Sequence, residues 1–300
     1  MKLMKDIRRI AGNLEGTMGM AIKHLETGEQ VLINEDVVFP TGSVFKIYVL
    51  AELFKQVKEG KINLNDKIKT SQRSKIAGSG ILKELDSELV LTVKDLAMLM
   101  ITISDNTATD LLLNSVGIQN VNATIREVGL VDTTVILSTR ELVGSELVGL
   151  NHIPAEKYDF DLIQNRISRR QFDQNSRSLQ DTNNNVSTPW ETLVLLEKIA
   201  KGTILDRESC DQMLSILKRC QHNNSIPLLL PLKEVEIAHK TGNLPGIRAD
   251  VGIVYMLEKQ SRYILSAFVK KMPIGKEAEG ELAIARVSKL VYDRFSDPHY

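Results

Sequence analysis

Apolar residues follow strand spacing near the N-terminus and helical spacing through the middle of the chain. Thr17–Ile33 predicts a β-hairpin, because apolar residues recur with a period of two on both sides of a turn at Glu26–Glu29. From residue 43 onward the period changes to that of an amphipathic helix. The stretches with helical character are 43–60, 92–104, 107–116 and 121–128, and Gly117 and Gly129 are the predicted helix stops.

The C-terminal part of the chain returns to strands and ends in a helix. Strands are predicted over 235–239, 250–257 and 263–270, and an amphipathic helix over 277–295. The segment 130–186 is different, because it is long, polar and weakly periodic, with an asparagine-rich end typical of a loop. Thr188 and Pro189 then supply the cap and the early proline of a further helix, which runs through Ala200.

This order of elements predicts one α/β layer built from both ends of the chain, with a helical segment inserted between them. We expect residues 1–40 and 223–300 to form the α/β domain. Residues 41–222 are expected to form a helical domain that contains the long loop region 130–186. A chain of 300 residues can bury a sizeable core in such an arrangement.

Composition excludes several classes of function. Apolar residues make up 43% of the chain and charged residues 25%, and 38 basic residues balance 38 acidic ones. These values are typical of a soluble globular protein and lack the basic excess of a nucleic-acid-binding protein. No apolar run approaches the length of a membrane span. The five histidines have no metal-ligand spacing, so neither a metal nor another cofactor is expected.

The two cysteines are predicted to be reduced thiols. Cys210 lies in the first turns of a predicted helix over 206–219, and Cys220 directly follows the end of that helix. At about 1.5 Å per residue, the helix would separate them by about 15 Å, which is too far for a disulfide.

The N-terminal segment Met1–Asn13 predicts an amphipathic first helix. A secretory signal requires a continuous apolar run, and basic residues break up the apolar residues of this segment. We therefore expect the protein in the cytoplasm, or in the periplasm or outside the cell if a signal has been removed. A monomer is expected.

The first candidate chemistry lies where the helical stretch 43–60 begins. Residues three apart share one face of a helix, so Ser43 and Lys46 are predicted to project side by side. A serine hydroxyl becomes a strong nucleophile when a base removes its proton, and a desolvated lysine can be that base. The free N–H groups at the helix start would favour developing negative charge. The alternative is an N-cap serine followed by a solvated lysine.

A second signature, Ser104-Asp105-Asn106, lies 61 residues further on. In a catalytic interpretation, Ser104 relays a proton to a leaving nitrogen and Asn106 holds a substrate amide carbonyl. Asp105 is expected to fasten the loop rather than to take part in the chemistry. The alternative is a plain helix cap, since Ser and Asp both favour that position.

The third signature is Lys240-Thr241-Gly242, which follows a predicted strand. Lys240 would place a cation near Ser104 and a substrate carboxylate, and Thr241 would hydrogen-bond that carboxylate. Gly242 would let the substrate approach the strand edge, because it has no side chain. The N–H groups of Asn243 and Ser43 would then form an oxyanion hole. The alternative is an ordinary turn.

In this order the three signatures resemble those of the penicillin-recognising serine hydrolases, and most closely those of the class A β-lactamases. The similarity covers nearly the whole chain apart from 130–186. Further segments that look like family segments are Leu25–Gly28, Phe39–Ser43, Ser104–Ala108, Ser187–Pro189 and Gly246–Asp250. The resemblance implies an α+β fold in which an antiparallel five-stranded sheet with flanking helices packs on a helical domain, with the site in the cleft between them.

The resemblance also implies roles for individual residues. Ser43 would be the nucleophile, Lys46 its activator and Ser104 the proton relay. Lys240 and Thr241 would grip the substrate carboxylate. Arg248, on the next strand, looks like an auxiliary carboxylate partner, and its alternative is an ordinary surface ion pair.

One departure from the family pattern concerns the residue that activates the deacylating water. Class A enzymes carry a Glu-Pro-x-x-Asn pattern there, but no proline in this chain follows a glutamate. Glu141 is the nearest candidate by position, Glu146 and Glu156 are others, and each could equally be a solvated loop residue. General-base assistance contributes about 10²–10⁴-fold, so acylation could proceed while deacylation is slow.

Three functions follow as hypotheses. The first is a class A β-lactamase that opens a β-lactam through an acyl-Ser43 intermediate, with slow turnover. The second is a peptidase or esterase that acts on D-alanyl-D-alanine-like peptides or small esters. The third is a penicillin-binding sensor that stays acylated. Each takes a small β-lactam or peptide ligand.

Overall fold

The structure, a computed structural model, describes residues 2–150 and 159–296. The chain forms two compact units, Met1–Val44 with Ser187–Tyr300, and Phe45–Val186. In the described residues the strands are β1 Thr17–His24, β2 Gln30–Ile33, β3 Phe39–Pro40, β4 Lys67–Lys69, β5 Val90–Thr92, β6 Val186–Ser187, β7 Val235–Leu244, β8 Ile247–Met256 and β9 Ser261–Lys270. The α-helices are α1 Lys2–Gly12, α2 Lys46–Lys58, α3 Val93–Thr102, α4 Asn106–Val116, α5 Ile118–Val128, α6 Phe160–Ser168, α7 Pro189–Lys201, α8 Arg207–Leu217 and α9 Glu277–Ser296.

The first unit is built around a five-stranded antiparallel sheet with strand order β2-β1-β9-β8-β7. The predicted hairpin is confirmed, because β1 pairs with β2 from Met20↔Ile33 to Lys23↔Gln30. The other edge of β1 pairs with β9, so strands from the two ends of the chain lie in one sheet. The expected α+β fold class, with a five-stranded antiparallel sheet and many helices, is therefore confirmed.

The core of this unit lies where α1 and α9 pack on each other and α9 packs on β8 and β9. Alternate residues along β1 and β9 contribute to it, as the period of two requires. The shared apolar cluster includes Ile7, Met20, Ile22, Val254, Tyr263, Leu265, Ile284 and Val287. Burial of this apolar surface is the main force that holds the sheet against the helices.

Helices α7 and α8 belong to the unit that carries the sheet. Helix α7 packs on β1 and β9, and α8 packs on β7. The sequence predicts the domain boundary at residue 222, whereas the helical unit ends at Val186. The difference has a physical reason: the buried face of α7, with Leu193, Leu196 and Ile199, finds its apolar partner on the sheet, and helical periodicity does not identify that partner.

The second unit is helical. Helix α2 packs against α4 and α5, and α3 packs against α4. Gly117 and Gly129 end their helices as predicted, with φ of 83° and 88°. Only glycine adopts such positive φ values without a steric penalty, so these two positions terminate the helices efficiently.

The described part of the polar segment, 130–150 and 159–186, is more ordered than its composition predicts. It contains α6 and a π-helical turn over Arg140–Glu146. Asn185, which is fully buried, accepts hydrogen bonds from the N–H groups of Ile136 and Leu137 and donates one to the Leu137 carbonyl. Its side chain thus satisfies backbone groups that a strand or helix would otherwise pair.

The two cysteines form no disulfide with each other, as their predicted separation requires. Cys210 and Cys220 are both free. Among residues 2–150 and 159–296, no helix combines the length and the apolar character needed to cross a bilayer.

Candidate active site

Lys46 is the centre of a buried hydrogen-bond cluster in the helical unit. Lys46 is the first residue of α2. Side chains on a helix tilt toward its N-terminus, so the Lys46 side chain is directed toward the residues before the helix. Its Nζ donates to the Ser104 carbonyl at 2.7 Å, to Ser104 Oγ at 3.0 Å and to Asn106 Oδ1 at 2.9 Å. The side chain is completely buried. The fold therefore joins the first signature to the second through one amine.

Ser104 adopts a backbone conformation that serine normally avoids. Its φ is 57°, in the left-handed region. This conformation costs a non-glycine residue of order 1–3 kcal/mol and persists where surrounding bonds hold it, often at functional sites. Here it directs both the carbonyl and the hydroxyl of Ser104 to the Lys46 amine.

Asp105 supplies the bonds that hold this turn. Its Oδ2 accepts from the N–H groups of Ile81 and Leu82 at 2.7 and 2.9 Å, and its Oδ1 caps α4 through the Ala108 N–H at 2.9 Å. A Cβ on Gly80 would lie only 2.3 Å from the Asp105 carboxyl carbon. The carboxylate is 1% exposed, so it fastens the loop, as its position in the signature predicts.

Replacing Asp105 by alanine is expected to destabilise the protein by about 3 kcal/mol, because two buried N–H groups and one part-buried N–H group lose a charged acceptor. Urea unfolding measures the change. Asp95→Ala is the matched control: this exposed aspartate contributes a capping box at the start of α3, so its loss should cost about 1 kcal/mol or less. Equal stability of the two variants would contradict this role of Asp105.

Asn106 uses both ends of its side chain. Its Oδ1 accepts from Lys46, and its Nδ2 donates to the Ala77 carbonyl at 2.9 Å. The amide nitrogen carries two protons, so this bond fixes the orientation of the group that is predicted to meet a substrate carbonyl.

Asp110 and the backbone of Thr139 and Arg140 form a further contact in the helical unit, one that the sequence did not predict. Asp110, one helical turn after Asn106, accepts from the N–H groups of Thr139 and Arg140 at 2.7 and 2.9 Å. Burial raises the pKa of Asp110, although these bonds and the Thr139 hydroxyl oppose that shift. The sequence signal for a role of Asp110 was its position four residues after Asn106, on the same face of a largely buried helix.

Glu141, the predicted deacylation base, directly follows Thr139 and Arg140, whose N–H groups Asp110 holds. Its Oε2 accepts from the Ser138 N–H at 2.8 Å and from the Ser138 hydroxyl at 2.9 Å. These bonds orient the carboxylate at the start of the π-helical turn. Of the other candidates, Glu156 lies outside the described residues, and the side chain of Glu146 is also outside the described part of the structure.

In the sheet-bearing unit, Ser43 lies in a single 3₁₀ turn, Gly42–Phe45, directly before α2. Ser43 is partly exposed, whereas Thr41 and Val44 are buried. Gly42 has a φ of 48°, and a Cβ there would lie 3.1 Å from the Asn243 backbone nitrogen. The turn that carries Ser43 thus approaches the end of β7 closely.

Gly242 is the position on β7 that permits this approach. A Cβ on Gly242 would lie 2.2 Å from the Thr41 carbonyl oxygen, a distance that no side chain can occupy. The sequence predicts that Gly242 makes space for a substrate. The structure shows that the backbone of residues 41 and 42 also needs that space.

Gly242→Ala is therefore expected to destabilise the protein at the upper end of the about 1–3 kcal/mol that overpacking costs, since the obstacle is backbone rather than a flexible side chain. Thermal unfolding gives the measurement. Gly12→Ala serves as the control, because nothing lies within 4 Å of its Cβ position, and its effect should stay within about 1 kcal/mol. A wild-type melting temperature for Gly242→Ala would refute the close approach.

Lys240 is the buried cation of the third signature. Its Nζ donates to the Thr241 carbonyl at 2.8 Å, and the side chain is fully buried. Burial lowers the pKa of Lys240, while the charges of Cys220 and Asp250 act in the opposite direction. Thr241 is also buried, and Asn243 is exposed at the end of the strand.

Arg248 is held from three sides within its own unit. Its Nε donates to Glu281 on α9 at 2.7 Å, and its Nη1 donates to the carbonyls of Leu244 and Ile247. The ion pair that the sequence analysis offers as an alternative is thus present. Among the described residues, no cluster of three or more His, Cys, Asp or Glu side chains could bind a metal ion.

Comparison with known proteins agrees with this fold. The family model described as the beta-lactamase enzyme family matches residues 2–295. A β-lactamase of Bacteroides uniformis is 24% identical, covering 97% of this chain and 90% of that protein. A mutant of PBP-A, solved as the acyl-enzyme complex with penicillin G, is 26% identical with a TM-score of 0.79, covering 98% of this chain and 96% of that chain. An ancestral class A β-lactamase superposes with a TM-score of 0.80 at 20% identity, covering 98% and 100%, and shows the shared fold.

The fold and the three signatures thus define a serine hydrolase of the class A β-lactamase type. The chain belongs to the beta-lactamase enzyme family, whose model matches almost its entire length.

Proposed function

We propose that the protein opens β-lactam rings by forming an acyl-enzyme at Ser43, and that this intermediate is hydrolysed slowly. The observation that carries the proposal is the Lys46 cluster, in which one buried amine bonds to Ser104 and Asn106 at 2.7–3.0 Å. A solvated lysine after a helix cap would show none of these bonds, so they argue against the simpler interpretation of the first signature.

The proposed acylation step moves one proton and exchanges two bonds. Lys46, after releasing to solvent one of the three protons that it donates in hydrogen bonds, takes the proton of the Ser43 hydroxyl while Ser43 Oγ bonds to the lactam carbonyl carbon. The lactam C–N bond then breaks. Ser104 donates its hydroxyl proton to the departing nitrogen and recovers one from Lys46, to which its Oγ is already bonded. The N–H groups of Ser43 and Asn243 would stabilise the oxyanion.

Substrate binding is assigned to the third signature and to Asn106. Lys240, with Thr241, would attract the carboxylate of a β-lactam or a peptide, and Asn106 would donate to the side-chain amide. Arg248 would act as an auxiliary cation that Glu281 holds in position. Because that ion pair partly neutralises Arg248, we assign the primary role to Lys240.

Slow deacylation is proposed because no Glu-Pro-x-x-Asn pattern occurs in the chain and Glu141 is already committed to Ser138. Glu141 remains the proposed base for the hydrolysis that does occur. A structural relative, the PBP-A mutant, has been captured as an acyl-enzyme with penicillin G, which is consistent with an intermediate of this kind on this fold.

Rapid-mixing kinetics with a penicillin and a chromogenic cephalosporin test the proposal. The expected result is a burst of one ring opened per chain, followed by a slower steady rate that Glu141→Gln reduces further. A burst without any steady rate would favour the penicillin-binding sensor. Turnover of D-alanyl-D-alanine peptides or small esters with no reaction of either β-lactam would favour the peptidase or esterase.

A further inference from the structure

A groove in the sheet-bearing unit lies between α1, α9 and the loop residue Leu229. Its volume is about 680 Å³, which is within the range of small-molecule sites. The residues of α9 that line it recur every three or four positions, so they share one face of the helix. They are Glu279, Leu282, Ala283, Arg286, Lys289 and Leu290. At about 1.5 Å per residue, the groove therefore follows α9 for about 16 Å.

The walls of the groove are mainly apolar. Ile10, Leu14 and Leu290 line it and are partly buried, because they also pack against the core of the unit. Leu229 is 41% exposed, and Leu282 is partly exposed. Apolar surface that stays open in a concave site with charged residues around it is typical of a site that binds an apolar ligand.

The two helices run antiparallel, which determines where the charges of the groove lie. Lys276, just before α9, donates to Glu15, just after α1, at 2.9 Å. Since α1 packs on α9, residues earlier in α1 lie beside later residues of α9. Arg9 therefore lies toward the end of the groove that carries Arg286, and Glu279 lies at the opposite end.

Three cations at one end of the groove can contact a ligand. Arg286 is exposed and forms no ion pair among the described residues. Arg9 and Lys289 pair with Asp6 and Asp293, each one turn away on the same helix. Exposed pairs of this kind are weak, so a ligand anion can compete for either cation.

We propose that this groove binds a single-chain anionic amphiphile, with a long-chain fatty acid as the occupant. The guanidinium of Arg286 donates to the carboxylate, and its planar fork can bind both oxygens. The other two cations lie at the same end. The alkyl chain lies along the apolar walls toward Leu14 and Leu282. Glu279 at the far end disfavours the reversed orientation, because it repels a carboxylate.

The shape and the surrounding charges favour a single chain over a membrane surface. A groove between two helices can enclose one alkyl chain, whereas a bilayer takes up the projecting apolar face of a helix. Carboxylates also lie in and beside the groove, at Asp6, Glu15, Glu279 and Asp293. An anionic bilayer would approach all of them, whereas the carboxylate of one fatty acid meets only the cationic end.

The test is a fluorescence titration of the full chain with dansyl-labelled undecanoic acid, kept below its micelle-forming concentration. Saturable binding at one site per chain is expected. Arg286→Gln should weaken the affinity about tenfold, because the ligand loses a charge-assisted contact. Leu229→Gln should weaken it about fivefold, because apolar surface is lost from the wall. Both residues are exposed, so neither variant should change the melting temperature.

Two matched variants outside the groove are the controls. Arg126 is an exposed arginine on α5 that, like Arg286, has no ion pair among the described residues. Leu257, directly after β8, is 49% exposed. Arg126→Gln and Leu257→Gln should bind the probe as the wild type does.

Two competitors of equal chain length test the preference for an anion. Laurate should displace the probe, and dodecyltrimethylammonium should not. Equal displacement by both, wild-type affinity in Arg286→Gln or Leu229→Gln, or the lack of saturable binding would overturn the proposal. Pelleting with phosphatidylglycerol vesicles, without binding of the monomeric probe, would assign this surface to a membrane instead. These readouts use no β-lactam, so they stand or fall separately from the proposed enzyme activity.

Discussion

Ser43→Ala is expected to form no covalent adduct with penicillin and to lose at least about 10³-fold in β-lactam turnover, because the alanine side chain has no atom that can accept the acyl group. Ser43 is partly exposed, so removing its hydroxyl should leave the free energy of unfolding nearly unchanged. Intact-protein mass spectrometry and steady-state hydrolysis measure the two effects.

Ser115→Ala is the matched control for that variant. Ser115 is exposed on α4, where its hydroxyl bonds only locally to the Leu111 carbonyl. It should keep wild-type acylation and turnover. If Ser43→Ala still accumulated an adduct at the wild-type rate, another residue would be the nucleophile.

Lys46→Met is expected to reduce the acylation rate by about 10²–10⁴-fold, which is the usual contribution of a positioned general base. Methionine fills a similar volume but accepts no proton and donates no hydrogen bond. The Ser104 carbonyl and Asn106 Oδ1 would also lose a buried donor, so we expect destabilisation of about 1–3 kcal/mol.

Lys55→Met, on the same helix, separates the two effects of the Lys46 variant. Lys55 pairs with Glu127 and Thr124 at a partly exposed position, so its loss should cost about 1 kcal/mol or less and leave acylation unchanged. A folded Lys46→Met protein that acylates as fast as Lys55→Met would remove Lys46 from the proposed mechanism.

The elements that could be predicted are those whose own sequence carries the signal. The β1–β2 hairpin follows from a period of two around a turn, and Gly117 and Gly129 mark helix ends because each adopts a positive φ. The helical stretch after residue 43 follows from its apolar face. The three signatures predicted a set of site residues, and the structure brings three of them, Lys46, Ser104 and Asn106, together.

The elements that could not be predicted depend on partners distant in the chain. The packing of α7 on the sheet requires knowledge of which apolar face it meets. The close approach of Thr41 to Gly242 joins residues 201 positions apart, and the His239–Asp250 bond depends on the register of two strands. Within the described residues 130–150 and 159–186, the Asn185 side chain bonds to backbone N–H groups, whereas an asparagine-rich composition indicates a loop.

The most direct test of the account is to locate the acyl group. Wild-type protein is mixed with penicillin, quenched in acid during the burst, digested and mapped by tandem mass spectrometry. The account predicts one penicilloyl group per chain, on the peptide that contains Ser43 and on its hydroxyl oxygen. Attachment to Ser104 or to a lysine, or hydrolysis with no covalent intermediate at any quench time, would contradict it.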